Sequence, residues 1–167
     1  MTNERSGRLL LGAIAGFVAT LPMTAVMRRL HRALPDRERY PLPPREIAED
    51  LPHPRISIST ATLLHHFLYG GAAGALFALS PGRSVASGAA YGVTVWVGSY
   101  LGWIPAAGIL RSGTSHPARR NLLMLAVHGV WGACLAAALA ELEKAECDSF
   151  SVSSSPTPKL KDRMGRG

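Results

Sequence analysis

Charged side chains are missing from four long stretches of this 167-residue chain: residues 9–27, 56–82, 84–110 and 121–140 contain no Asp, Glu, Lys or Arg. Each stretch reaches the roughly 18 apolar residues that cross about 30 Å of hydrocarbon at about 1.5 Å per residue. The mean hydropathy of +0.14 hides this segregation, because the charges fall in blocks between the stretches. Cysteine is nearly absent as well. Cys134 and Cys147 alone provide no disulfide framework and no CxxC metal site. Aromatics make up only 7% of the chain, and no basic stripe alternates with them. The net charge of +7 is therefore not read as a nucleic-acid footprint. No nucleophile–base pair, phosphate loop or metalloprotease motif occurs, so the chain is not read as an enzyme. The lack of carboxylates within the stretches also argues against a carboxylate-driven transporter.

Four such stretches leave too little polar chain to cover them in water. The reading is all-α: an integral-membrane four-helix bundle over residues 1–146, with spans at about 9–30, 59–80, 84–110 and 120–142. An interfacial loop covers 31–58, and a Ser/Pro/Lys-rich tail over 147–167 is expected to be disordered. The first stretch is long for a signal peptide and ends at Arg28-Arg29, a stop-transfer-like flank, so it is read as a retained span. Near the span ends, ten Lys/Arg flank loops 1 and 3 and four flank the opposite side. Loops 1 and 3 are therefore expected in the cytoplasm, and the protein in a bacterial inner membrane with the lipid bilayer as its partner. Within loop 1, Pro43-Pro44 suits the first turn of a short helix, REIAEDL, closed by Pro52 and Pro54. It reads as a connector at headgroup level.

Small residues recur at helical spacing: Gly12/Gly16, Gly70/Gly74, Gly88/Gly92 and Gly98/Gly102. In lipid, such GxxxG pairs let helix backbones approach closely, and a pair facing outward would serve a homo-oligomer. The order also suggests a parallel duplication of a two-helix unit. Gly12-x-x-x-Gly16 would correspond to Gly88-x-x-x-Gly92, and His66-x-x-Tyr69-Gly70 to His128-x-x-Trp131-Gly132.

Imidazoles within such stretches are exceptional. Counting residues inward from the loop 1/loop 3 side puts His66 and His128 about 10 Å deep. Thr24 and Trp103 fall near the same level, with His65 turned about 100° from His66 around the helix. A buried polar layer of Thr24, His65, His66, Trp103 and His128 follows, its histidines packing the bundle or sensing protons. Two alternatives use the same residues. His66 and His128 are a candidate bis-His set for haem b, and Met23 and Met27 with His66 and His128 are a candidate copper set. The first reading needs no cofactor. A small channel or carrier is the third alternative. His31, His53 and His116 are read as solvated loop side chains.

"AGFVATLPMTAVMRRL", "PLPPREI", "HHFLYGGAAGALF" and "HGVWG" together resemble the YagU-like and related uncharacterised small four-span bacterial inner-membrane proteins. The likeness covers roughly residues 10 to 140. It implies a bacterial inner-membrane four-helix protein and supplies no activity, cofactor or catalytic residue; the leading reading of function is a structural or stress-related membrane protein.

Overall fold

The computed structural model describes residues 2–50, 56–108 and 116–152, and among them every regular element is helical. Helix α1 runs Thr2–Arg32, α2 Pro43–Asp50, α3 Ile58–Phe77 and α4 Val85–Val97. A π-helical segment, Gly98–Trp103, continues α4 into the single turn α5, Ile104–Ala106, and α6 spans Ala118–Val152. Two of these, α1 and α6, are long and apolar enough to cross a membrane, over Glu4–Arg32 and Ala118–Asp148.

Local chemistry sets the boundaries. The Ser57 hydroxyl accepts the Thr60 N–H at 3.2 Å and caps α3, and Ser84 caps α4 through the Ser87 N–H at 3.1 Å. Pro22 lies inside α1 without ending it. Around it, Thr20 and Thr24 donate their hydroxyls to the carbonyls of Gly16 (2.9 Å) and Thr20 (2.7 Å). The third stretch is less regular than the expected single span over 84–110. Pro105 has no N–H and its ring crowds the preceding turn, while Gly102 adopts φ −108°, ψ −106° and relieves that crowding. Chain direction then changes at Gly108, whose φ of +72° suits glycine. At the other end, α6 continues to Val152, so the tail expected to be disordered from 147 begins as helix. Residues 153–167 lie outside the described residues.

Packing follows the glycines. Helices α1 and α3 cross where Gly12 and Gly16 meet Gly70 and Gly74, and α4 and α6 cross where Gly88 and Gly92 meet His128 and Gly132. At each crossing a Cβ on the glycine would run into the opposing backbone carbonyl. The two crossings match: Gly12 faces Gly74 and Ala78, as Gly88 faces Gly132 and Ala136. This correspondence pairs Gly70 with His128, one helical turn away from the His66/His128 register suggested by the sequence. Backbone clearance sets the register, and the aromatic-Gly resemblance does not. Gly98 and Gly102 have open space around them and meet no other helix among the described residues.

The pairs join through α1 and α6, where Trp131 donates its indole N–H to the Gly16 carbonyl at 3.2 Å. Helices α3 and α4 barely meet; Tyr91 reaches across to the Ala73 carbonyl at 2.7 Å near one end. The inner face of α1 carries Ala15, Ala19, Met23 and Met27, all buried, whereas Leu10, Ile14, Phe17, Val18 and Leu21 point outward. On this helix the outer face carries most of the bulky apolar side chains, which is unusual for a surface that meets water.

Candidate functional site

Where α3 and α4 diverge, a cavity of about 400 Å³ opens between them. That is the size of a small-molecule site. His65, His66 and Tyr69 reach it from α3, and Trp96, Ser99, Tyr100 and Trp103 from α4 and its π segment. Met124 and His128 of α6 and Met23 of α1 form the floor. None of the lining residues carries a fixed charge. Across the gap, the Tyr69 hydroxyl and the Ser99 hydroxyl hydrogen-bond at 2.6 Å, and the Tyr69 and Trp103 rings lie 6.4 Å apart. The wider π turn breaks the regular α-helical azimuth, and Ser99, Tyr100 and Trp103 within it line the cavity.

The polar groups are unevenly satisfied. His128 Nδ1 lies 2.7 Å from the Met124 carbonyl. A carbonyl only accepts, so Nδ1 carries the proton and Nε2 of the neutral ring is left with its lone pair. His65 Nδ1 and Trp96 Nε1 are buried and have no hydrogen-bond partner among the described residues. A smaller pocket of about 30 Å³ adjoins the cavity and is bordered by Thr20, Met23, His66 and His128.

The expected layer is thus partly assembled. His65, His66 and His128 line one cavity, together with Met23 and with Trp103 at its half-exposed rim. Thr24 is not part of it: its hydroxyl is turned to its own helix at the Thr20 carbonyl. Thr20, one turn earlier and fully buried, borders the smaller pocket instead. Met27 is packed in the core away from both pockets, and Met124 lines the cavity in its place. Sequence reasoning also missed Tyr69, Trp96, Ser99 and Tyr100, because it gave no sign that α3 and α4 would part.

Over the mouth lies α2. Its Pro43, Pro44 and Ile47 line the cavity, so this helix is a cover packed on α3 and not a loose connector. Arg120, in the first turn of α6 and only 1% exposed, anchors the chain leading into it. Its guanidinium donates to the carbonyls of Glu38 (3.4 Å), Tyr40 (2.8 Å) and Pro41 (2.6 Å), and its Cζ sits 3.6 Å from the Tyr40 ring centroid. Glu46 of α2 lies 3.8 Å from the same group. A buried cation needs such partners, and a planar five-donor fork supplies the geometry. His116 stacks between Tyr40 and Tyr100, at 5.8 and 5.7 Å, and its Nδ1 meets the Tyr40 hydroxyl at 2.6 Å. His31 Nε2 donates to the Tyr40 carbonyl at 3.2 Å. His31 and His116, expected to be solvated, therefore belong to this anchor, and His53 lies outside the described residues. An arginine beside a span reads as a headgroup contact, so only the contacts reveal what Arg120 does.

Among the described residues no group of three or more His, Cys, Asp or Glu side chains could hold a metal ion. Comparison with protein-family models, curated proteins and solved structures gives no match for this chain.

Proposed function

We propose that this chain is a four-span protein of a bacterial inner membrane, of the YagU-like kind, with loops 1 and 3 in the cytoplasm. It binds a neutral, apolar molecule dissolved in the bilayer and performs no chemistry on it. The carrying observation is the 400 Å³ cavity where α3 and α4 part, two helices that barely meet among the described residues. Its sides open between α3 and α4, beside the outward-facing Leu68 and Leu101, so a ligand reaches it sideways from hydrocarbon. The row of exposed large apolar side chains on α1 supports a lipid surround. With no fixed charge in the lining, a charged headgroup would lose its hydration without compensation, which selects a neutral occupant.

Native mass spectrometry after extraction in mild detergent tests this reading. The wild-type chain is expected to keep one apolar small molecule. Ala72→Trp, at the exposed flank of the cavity, is expected to lose it with the fold intact. Retention unchanged in Ala72→Trp would contradict the reading.

A second reading rests on the smaller pocket, which Met23, His66 and His128 border together. The His128 Nδ1–H bond to a backbone carbonyl is the usual support of a ligating imidazole. Two imidazoles and a thioether suit copper(I), whereas about 30 Å³ holds no macrocycle, so the bis-His haem b alternative draws instead on the 400 Å³ cavity that His66 and His128 also line. Stoichiometric copper(I) lost in Met23→Leu would establish the first, and a Soret band lost in His66→Ala and His128→Ala the second. Binding of neither removes this reading.

A further inference from the structure

The arginines between residues 28 and 45 fall into two groups once their partners are known. Arg39 pairs with Asp36 at 2.8 Å, Arg45 with Glu49 at 2.9 Å and Arg37 with Glu38 at 3.9 Å, while Glu46 faces Arg120 at 3.8 Å. Every carboxylate in residues 36–49 is thus already matched to an arginine. Arg28, Arg29 and Arg32, in the last turns of α1, are exposed and have no ion-pair or hydrogen-bond partner among the described residues. With Ala25 and Val26 they border a surface depression of about 440 Å³. Three guanidiniums this close repel one another, and each is a planar fork suited to phosphate oxygens.

The chain below the cations is apolar on the same face. Ala25, Leu21, Val18 and Ile14 follow one another at helical spacing and are all exposed, so one stripe runs from hydrocarbon up to the arginines. Ile14 and Val18 also border a groove of about 370 Å³ between α1 and α3, closed on its other side by Phe67 and Leu68. Val18 stands ten residues before Arg28. That is roughly 15 Å along the helix, half of the roughly 30 Å hydrocarbon core, or one leaflet.

Resting on the membrane setting proposed above, and independent of the cavity between α3 and α4, we propose that this face of α1 binds an anionic phospholipid. Its phosphodiester sits among Arg28, Arg29 and Arg32, and an acyl chain runs down the apolar stripe to the α1/α3 groove. A soluble phosphate would use the cations alone; the stripe beneath them selects a lipid. A zwitterionic headgroup carries its own cation into the cluster and is disfavoured there.

Native mass spectrometry of the full chain in non-ionic detergent tests this by titration with dioleoyl phosphatidylglycerol and with dioleoyl phosphatidylcholine. The first phosphatidylglycerol is expected to bind more tightly by a factor on the order of a hundred, about five-fold for each arginine. Arg28→Gln, Arg29→Gln and Arg32→Gln together are expected to abolish that preference and leave phosphatidylcholine binding unchanged. Arg5→Gln, Arg8→Gln and Arg119→Gln together remove the same charge at exposed positions elsewhere and are expected to keep it. Millimolar glycerophosphoglycerol, the headgroup without chains, is expected not to displace the lipid. Displacement by it would assign the cluster to soluble phosphates, and equal loss in the two triple variants would reduce the effect to net charge; either result overturns the proposal. Equal binding of the two lipids overturns it and leaves the membrane setting standing, whereas binding of neither overturns both. A small molecule held in the α3/α4 cavity has a different mass in the same spectra, so the two sites fail separately.

Discussion

Arg120→Met will cost the fold about 3–5 kcal/mol, the range for stripping a buried charged group from its partners. One guanidinium serves the carbonyls of Glu38, Tyr40 and Pro41, stacks on Tyr40 and faces Glu46. Methionine matches much of the volume and leaves those acceptors without the donor that holds them together. Lysine, with a single point of donation, will restore only part of the loss. The neighbouring Arg119 is exposed, and Arg119→Met is expected to stay within about 0.5 kcal/mol. Thermal melting in detergent and the rate of trypsin cleavage in residues 36–45 report the two consequences, lower stability and a released α2. Equal behaviour of the two variants would show that Arg120 holds nothing in place.

Gly92→Ala and Gly132→Ala will each separate α4 from α6, at a cost of about 1–3 kcal/mol for overpacking. A Cβ on Gly92 would meet the His128 carbonyl, and one on Gly132 the Gly88 carbonyl; both obstacles are backbone, which cannot rotate aside. Gly92→Ala also pushes on His128 and should distort the cavity floor. The matched control is Gly129→Ala, one residue along α6 from His128, where a Cβ meets open space. There the gain in helix propensity, up to about 1 kcal/mol, should leave stability unchanged or higher. Melting temperatures that fall equally at all three positions would contradict the packing described for α4 and α6.

Much of the helical layout was legible because charge segregation marks where long apolar helices start and stop. The Arg28-Arg29 pair and the charge-free boundaries at residues 56 and 84 all sit close to the observed helix ends. The glycine pairs marked faces that do pack closely at Gly12/Gly16, Gly70/Gly74 and Gly88/Gly92, but not at Gly98/Gly102, and they named neither the partner helix nor the register. Register depends on whether a given carbonyl lies beneath a given Cα, and repeated small residues fit equally well one turn apart. Depth counting put the histidines together, since rise per residue is nearly constant along a helix. It misplaced Thr24, because depth says nothing about azimuth and a threonine in a helix can bond to its own backbone. The parting of α3 from α4 was not legible. It arises where the π segment before Pro105 re-aims Ser99 to Trp103, and no local residue pattern specifies how two distant helices will splay. Arg120 was illegible for a related reason: sequence gives its charge and not its burial.

The central claim is that hydrocarbon reaches the cleft between α3 and α4. The chain has three tryptophans, so Trp103→Phe with Trp131→Phe leaves Trp96 as the only indole. Fluorescence of that variant in bilayers of brominated lipid, set against quenching by aqueous iodide, measures which medium meets the cavity wall. The account predicts strong quenching by the bromines and almost none by iodide. Strong quenching by iodide with none from the lipid would contradict it.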